Sequence, residues 1–408
     1  MGIKSMARSL KRKLGFGGGQ QEVGEDALHD PLEQAQLQEP LQDPVQDQLA
    51  RPYTHLDVHA PLYNVDIAGD FEGDASQAQW EAARERLVDA GKARPKEHEI
   101  RLEMIRGHVA DADGTRAQAQ QDLVDQGDND SRVMGMTMLP EWFLGKNLSK
   151  KTMKKYRKGL KQISEEHPEV LIQPGTGVWQ ERVAKSKLGK PGLGKNTVMH
   201  STGDVYFGGG KVHTQDKMFD GMDTNATKYA YGKHKGDVVP KAQKIKWFGD
   251  APERTAKDRD YCYDATDQTG SSHFDVGGRR FAMDICGDHG SDGFRAQQEM
   301  TDGDLPATDV HLVTSNGSIL QDRGATVRDG GVAIQNDATV GSSFLYTATD
   351  DDQTTWGDAE GLHGLHDQLL MPEDHEGYQR RGFERQAHHS LQEDQQGSHL
   401  GTWRLPGH

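Results

Sequence analysis

Residues 274–290 read FDVGGRRFAMDICGDHG, and the rest of the fold can be worked outward from them. Two apolar strings flank Gly277 and Gly278, the pattern of a β-hairpin that feeds a buried strand ending at Ile285. Cys286 follows, before a turn of Gly287, Asp288, His289 and Gly290. A nucleophile needs a backbone that presents it at a strand end, a neighbouring base, and a cation or donor for the developing oxyanion. The plainer alternative is an inert core cysteine; the glycine-containing turn weighs against it.

Upstream and downstream, the middle of the chain alternates strands with helices. Val133 to Leu139 is a short apolar run ending at Pro140, which predicts a buried strand opening into a loop that carries Glu141. Ser149 can cap the helix that follows. In that helix Met153, Tyr156, Leu160 and Ile163 fall three and four apart, opposite a strongly basic face, and Pro168 ends it. VLIQPGTGVW predicts a strand and a glycine turn, NTVMHSTGDVYF and GGKVHTQDK predict paired strands, and VHLVTS and GGVAIQN supply later core strands. Before them, Trp80, Ala83, Leu87 and Ala90 recur at helical spacing, while HEIRLEMIRGHV fits strand or helix. Together these point to a layered α/β or αββα architecture.

Composition divides the chain. Of its 408 residues 33% are apolar and 27% charged, with the apolar ones concentrated between Arg132 and Tyr346. Residues 1–51 combine a basic start with a Gln-, Asp- and Pro-rich LQxP-like segment, which cannot bury enough apolar surface to offset chain entropy. They are expected as a disordered tail, 52–349 as the folded domain with 131–346 its clearest part, and the polar, His- and Gln-rich 350–408 as a second solvated tail. The histidines of that second tail lack a tight metal-ligand spacing. A net charge of −16 argues against general nucleic-acid binding. No apolar run is long enough for a membrane span, and no apolar stretch follows the basic start as a secretory signal requires. Two cysteines, Cys262 and Cys286, indicate no disulfide framework, and a reducing, cytoplasmic setting suits a reactive thiol.

MLPEWF, LIQPGTGVW, the NT of KNTVMH, FAMDICGDH and DVHLVTSNGS together resemble the nitrilase superfamily of carbon–nitrogen hydrolases, in that order along about half the chain. The resemblance implies an αββα sandwich that usually dimerises, a Glu-Lys-Cys catalytic set, a small-molecule amide substrate, and no metal or organic cofactor. Carried onto this sequence, Glu141 is the general base, Cys286 the nucleophile and a lysine the oxyanion stabiliser. Lys217 follows the NT strand and the GGKV turn and is preferred. Lys244 stands nearer Cys286 in sequence and is the alternative, with Lys211 third; at least two of the three must be ordinary surface charges. Trp142, Asp220, Asp288 and His289 are candidates for pocket or auxiliary roles. Gly287 and Asp288 after the cysteine resemble the amidase branches more than true nitrilases.

Other strings weigh less. GKPGLGKNT at 189–197 nearly spells a phosphate-binding loop, but Asn196 stands where Ser or Thr must bind magnesium and no strand precedes it. Cys286 and His289 share one turn and cannot easily take the opposed geometry of a peptidase dyad. Two further readings stay open: a bacterial effector exported by a non-classical route, motivated by the N-terminal segment, and a catalytically inactive binding protein, motivated by the unsettled lysine.

Overall fold

The computed structural model describes residues 51–66, 69–184, 195–217, 245–247, 261–263, 271–289, 295–318, 320, 324–339, 342–349, 382–390 and 398–407, and the statements below concern these. In chain order the elements are β1 (His55–His59), β2 (Asn64–Val65), β3 (Phe71–Glu72), α1 (Asp74–Asp89), α2 (Glu97–Asp125), β4 (Val133–Met138), β5 (Gly145–Ser149), α3 (Lys150–Glu166), β6 (Val170–Gln173), β7 (Thr176–Ala184), β8 (Lys195–Phe207) and β9 (Gly210–Asp216). They continue with β10 (Ile245–Trp247), β11 (Tyr261–Tyr263), β12 (His273–Val276), β13 (Arg279–Ile285), α4 (Arg295–Asp302), β14 (Thr308–Ser315), β15 (Val327–Asp337), β16 (Ser342–Thr349), β17 (Gly382–Ser390) and β18 (His399–Arg404).

Two large sheets result. The first runs β10-β11-β8-β6-β4-β1-β18, with β7 and β9 hydrogen-bonded to β8 and β5 to β7. The second runs β12-β13-β14-β15-β16-β17, and its β13, β14 and β15 are parallel. Period-two alternation explains how they stack. Leu56 and Val58 of β1 and Met134, Met136 and Met138 of β4 share one core with Phe281 and Met283 of β13, Val310 and Leu312 of β14, and Val332 and Ile334 of β15. On the other face of the first sheet, Ile100, Met104, Ile105 and Val109 of α2 and Met153, Tyr156, Leu160 and Ile163 of α3 pack against Val170, Ile172 and Val178. Asp284 points away from the inter-sheet core and accepts from the Ala296 amide of α4 at 3.2 Å, which puts that helix on the outer face of the second sheet. The order is helix, sheet, sheet, helix: a mixed α/β fold, as expected. Among the described residues no helix is long and apolar enough to cross a membrane.

Local signals explain the main elements. Gly277 and Gly278 take φ of 59° and 73°, the pair of positive values that a two-residue type I′ turn requires. The Ser149 hydroxyl accepts from the Thr152 amide at 3.0 Å and caps α3. HEIRLEMIRGHV resolves to helix, because its apolar residues lie along one stripe of α2 facing the sheet.

The C-terminal boundary needs correction. Within 350–408, expected as a solvated tail, β17 pairs with β16 and β18 pairs antiparallel with β1. The β18 strand is held by backbone hydrogen bonding along the sheet edge and buries only Leu400, with Leu405 just beyond it. So little apolar sequence suffices there that composition could not reveal it. Residues 1–50 lie outside the described set, as do Lys244 and Asp220.

Candidate active site

Three strand ends carry the groups that matter. At the end of β4, Leu139 donates to Gln173 O at 2.9 Å and its carbonyl accepts from the Thr314 hydroxyl at 3.0 Å, so the chain leaves the first sheet already tied to the second. Glu141 N donates to Ser315 O at 3.3 Å, and Trp142, at φ 65°, donates its amide to the Thr176 hydroxyl at 3.0 Å. This tight loop depends on Gly175, whose φ is 74° and where a Cβ would stand 2.2 Å from Pro140 O. From α2 the buried Arg101 guanidinium reaches Phe143 O at 2.5 Å and Gly69 O at 2.7 Å.

The β8–β9 hairpin delivers the cation. Its register pairs Thr202 with Asp216, and the next residue, Lys217, donates its amide to Ser201 O at 2.8 Å. The ammonium meets Glu141 Oε1 at 2.8 Å, with both side chains fully buried. Two charges taken out of water repay their desolvation only at such close range and with further hydrogen bonds. Lys211, on the same strand, is part-exposed and sits 3.6 Å from Asp204.

Cys286 opens a short 3₁₀ turn to Asp288 directly after β13. Its φ is 46°, a left-handed value that costs a side-chain-bearing residue about 1–3 kcal/mol and persists only where the surroundings enforce it. Here the His289 amide donates to the Cys286 carbonyl at 2.9 Å and the Ser318 hydroxyl reaches the same oxygen at 3.5 Å. The half-buried thiol lies 3.9 Å from Asn316 O. Consecutive carbonyls at the end of β14, Ser315 and Asn316, therefore hold the Glu141 loop on one side and the Cys286 thiol on the other.

A shell of buried polar groups keeps these loops in place, and most of it was invisible in the sequence. Asp337, at the end of β15, accepts from the Ser315 hydroxyl at 2.6 Å and from the amides of Gly317, Ser318 and Thr339 at 2.8, 3.2 and 2.8 Å. Burial raises its carboxyl above the ordinary range despite those bonds. Asn316 is pinned by its amide to Val65 O at 2.8 Å. Behind the cysteine, Asp284 receives His289 Nδ1 and His311 Nε2, each at 3.2 Å, and all three side chains are fully buried. Burial opposes the Asp284 charge, but the two imidazole hydrogen bonds prevail and hold its carboxyl down at about 2. Arg295 links the remaining pieces, donating to Asp216 O at 2.8 Å and pairing with Asp288 at 3.5 Å and Glu299 at 2.9 Å.

Of the residues expected from sequence, Glu141 and Lys217 are brought into contact and Cys286 is placed across the end of β14 from the Glu141 loop. Trp142 is buried under the Lys146 ammonium. Asp288 and His289 are buried and bonded to Arg295 and Asp284. The sequence signal that could have found Asn316 and its turn was the SNGS string itself, since Asn-Gly and Ser are turn formers; nothing local marks Asp337 or Arg295.

The sequence matches no family model and no curated protein. Among solved structures it is similar to a glutamine-dependent NAD(+) synthetase from Cytophaga hutchinsonii, at 10% identity and a TM-score of 0.34, covering 72% of this chain and 38% of that one. The glutamine-dependent NAD+ synthetase from Acinetobacter baumannii, in complex with adenosine diphosphate, gives 10% identity and a TM-score of 0.29, covering 72% and 41%. The chain thus spans about two fifths of the length of the structures it matches, and at these values the likeness carries no argument about activity.

Proposed function

We propose that this chain is an amidase-type carbon–nitrogen hydrolase that works through a thioester on Cys286. The observation that carries the reading is the fully buried ion pair of Lys217 and Glu141 at 2.8 Å, beside a strand end whose next carbonyl touches the Cys286 thiol. Glu141 takes the proton from Cys286 Sγ, and the thiolate attacks the amide carbonyl carbon. The C=O electron pair moves onto oxygen, where the Lys217 ammonium and backbone N–H groups after the nucleophile stabilise it. Collapse of the adduct breaks the C–N bond, and Glu141 returns its proton to the departing amine. Water, deprotonated by Glu141, then attacks the thioester, releasing the carboxylic acid and the thiolate, which regains its proton. The substrate is a small-molecule amide, and the chemistry requires no cofactor.

The test is intact-protein mass spectrometry during incubation with a panel of amides. The expected result is an acyl adduct on Cys286 in the native chain, with neither adduct nor turnover in Cys286→Ser, whose alkoxide is far less accessible at neutral pH than a thiolate. Native-level hydrolysis by Cys286→Ser, on a substrate the native chain demonstrably turns over, overturns the mechanism.

A further inference from the structure

A second cluster of chemistry-bearing side chains lies on the helix-facing side of the first sheet, where β1 pairs with the edge strand β18, and the hydrolase reading does not use it. We propose that Asp57, His59 and His399 form a binding site for a divalent transition-metal ion, with Zn2+ the best fit, that clips the C-terminal strand to the first strand of the fold.

The placement follows from strand geometry. In β1, Leu56 and Val58 turn into the inter-sheet core, so Asp57 and His59 share the opposite face. Antiparallel pairing sets His399 of β18 opposite His59 and Thr402 opposite Asp57. The two imidazoles stack with ring centroids 4.9 Å apart, and His399 Nε2 stands 2.7 Å from Asp57 Oδ1. One ligand atom from each of the three residues lies within 4.8 Å of the other two. Tetrahedral zinc with bonds of about 2.0–2.2 Å needs its ligand atoms about 3.3 Å apart. The three side chains need to shift by only about 1 Å, and His399, with 40% of its side chain exposed, has the room to make most of that movement.

Donor type selects the ion. Two imidazoles and one carboxylate suit zinc and its neighbours, whereas calcium and magnesium require a shell of oxygens. Outer contacts are already in place: the Thr115 hydroxyl donates to Asp57 Oδ2 at 2.6 Å and that of Thr402 to Oδ1 at 2.6 Å. With its proton given to Asp57, Thr115 Oγ1 accepts from His59 Nε2 at 2.9 Å, which leaves the His59 lone pair on Nδ1, the nitrogen turned toward β18 at Ser398. Hydrogen bonds of this kind orient metal-binding histidines and carboxylates. Exposure on the His399 side gives an ion its entry path and room for a water as fourth ligand. The comparable trio of Asp284, His289 and His311 lacks this opening: all three are fully buried, and His311 Nδ1 already accepts from the Thr326 amide at 3.1 Å.

The consequence is mechanical. The ion would join residues 342 positions apart in the chain, and ligand binding to the folded state alone raises its stability by mass action. The test uses the full chain stripped with chelator and then titrated with Zn2+, and separately with Co2+ for its visible absorption. Expected is one tight equivalent, a Co2+ spectrum of a nitrogen- and oxygen-bound ion, and a zinc-dependent rise in melting temperature. His399→Ala and His59→Ala should each lose that rise and weaken the tight site at least 10-fold. Cys286→Ser, which removes the thiol of the proposed active site and leaves all three ligands and their outer contacts in place, should keep it. The chain has 19 histidines, so binding that persists unchanged in both His→Ala variants means adventitious sites only and overturns the proposal, as does the absence of a tight equivalent in the native chain. None of these readouts depends on hydrolysis, so failure here leaves the proposed activity standing.

Discussion

Replacing Lys217 with methionine keeps the length of the side chain and removes only its charge, and the structure sets the size of the effect. The ammonium and Glu141 Oε1 are 2.8 Å apart with no exposure on either side chain. Removing one member leaves a carboxylate buried without its charge partner, which costs about 3–5 kcal/mol. For a domain of this size that lowers the melting temperature by roughly 6–10 °C. From sequence alone the lysine reads as a site group whose loss should leave stability nearly intact; full burial beside Glu141 reverses that expectation. On the proposed mechanism turnover should fall by at least about 10²-fold, because the developing oxyanion would lose its cation. The double variant Lys217→Met/Glu141→Gln, which removes both charges, should be more stable than Lys217→Met alone, with a coupling energy of about 1–3 kcal/mol in a double-mutant cycle. Urea unfolding followed by circular dichroism measures all four states, and amide hydrolysis measures the activity. A Lys217→Met stability within about 0.5 kcal/mol of native, with additive effects in the cycle, would refute the buried pair. Lys244→Met, run in parallel, should retain most activity.

Three further outcomes are expected. Glu141→Gln should slow both thioester formation and its hydrolysis by about 10² to 10⁴, and rapid-quench measurement showing normal rates in both steps would reassign Glu141 to a structural role. Gly175→Ala should destabilise the fold by more than about 1 kcal/mol and slow turnover, since its Cβ meets Pro140 O at 2.2 Å in the loop that carries Glu141; an unchanged urea midpoint would show that the loop can move aside. Acid should weaken the fold well above the carboxylate range. Burial, reinforced by His59 and Arg86, lowers His108 from 6.5 to about 3, and burial with Arg295 nearby lowers His213 to about 4. Below pH 6.5 the unfolded chain takes up protons that these two imidazoles refuse in the folded state. Their stability contribution is therefore complete above that pH and declines as pH falls toward their folded values, by up to about 1.4 kcal/mol per pH unit for each; a urea midpoint flat between about pH 7 and 4.5 would contradict this.

How far the sequence could be read depended on how local each determinant is. The β12–β13 hairpin was legible because two glycines at the turn and the apolar run after it are contiguous. Helix α3 was legible for the same reason: Met153, Tyr156, Leu160 and Ile163 mark one face, and Ser149 and Pro168 bracket it. Glu141 and Cys286 could be singled out because each closely follows a buried strand. The partnership of Lys217 with Glu141 could be favoured from sequence but no more than that, since it rests on the register of β8 against β9 that turns residue 217 inward while Lys211, six residues earlier, stays part-exposed with its ammonium on the buried Asp204. Strand β18 escaped notice because an edge strand bonded through its backbone needs almost no apolar sequence.

What no local pattern could show is the shell that makes the site rigid. Asp337 collects four donors from the turn after β14 and its surroundings, and that turn supplies the carbonyls against which the Glu141 loop and the Cys286 thiol both rest. Arg295 ties the residue before Lys217 to the second residue after Cys286. Each linker belongs to a different element from the group it positions, and each becomes a neighbour only once the parallel strands β13, β14 and β15 are in register. A left-handed backbone at Cys286 is unfavourable by itself, and so is a pair of charges without water; both persist because these crossed hydrogen bonds leave neither loop an alternative position. Specificity of placement therefore comes from residues far apart in the chain, while the identity of the groups proposed to react is written next to the strand that presents each one.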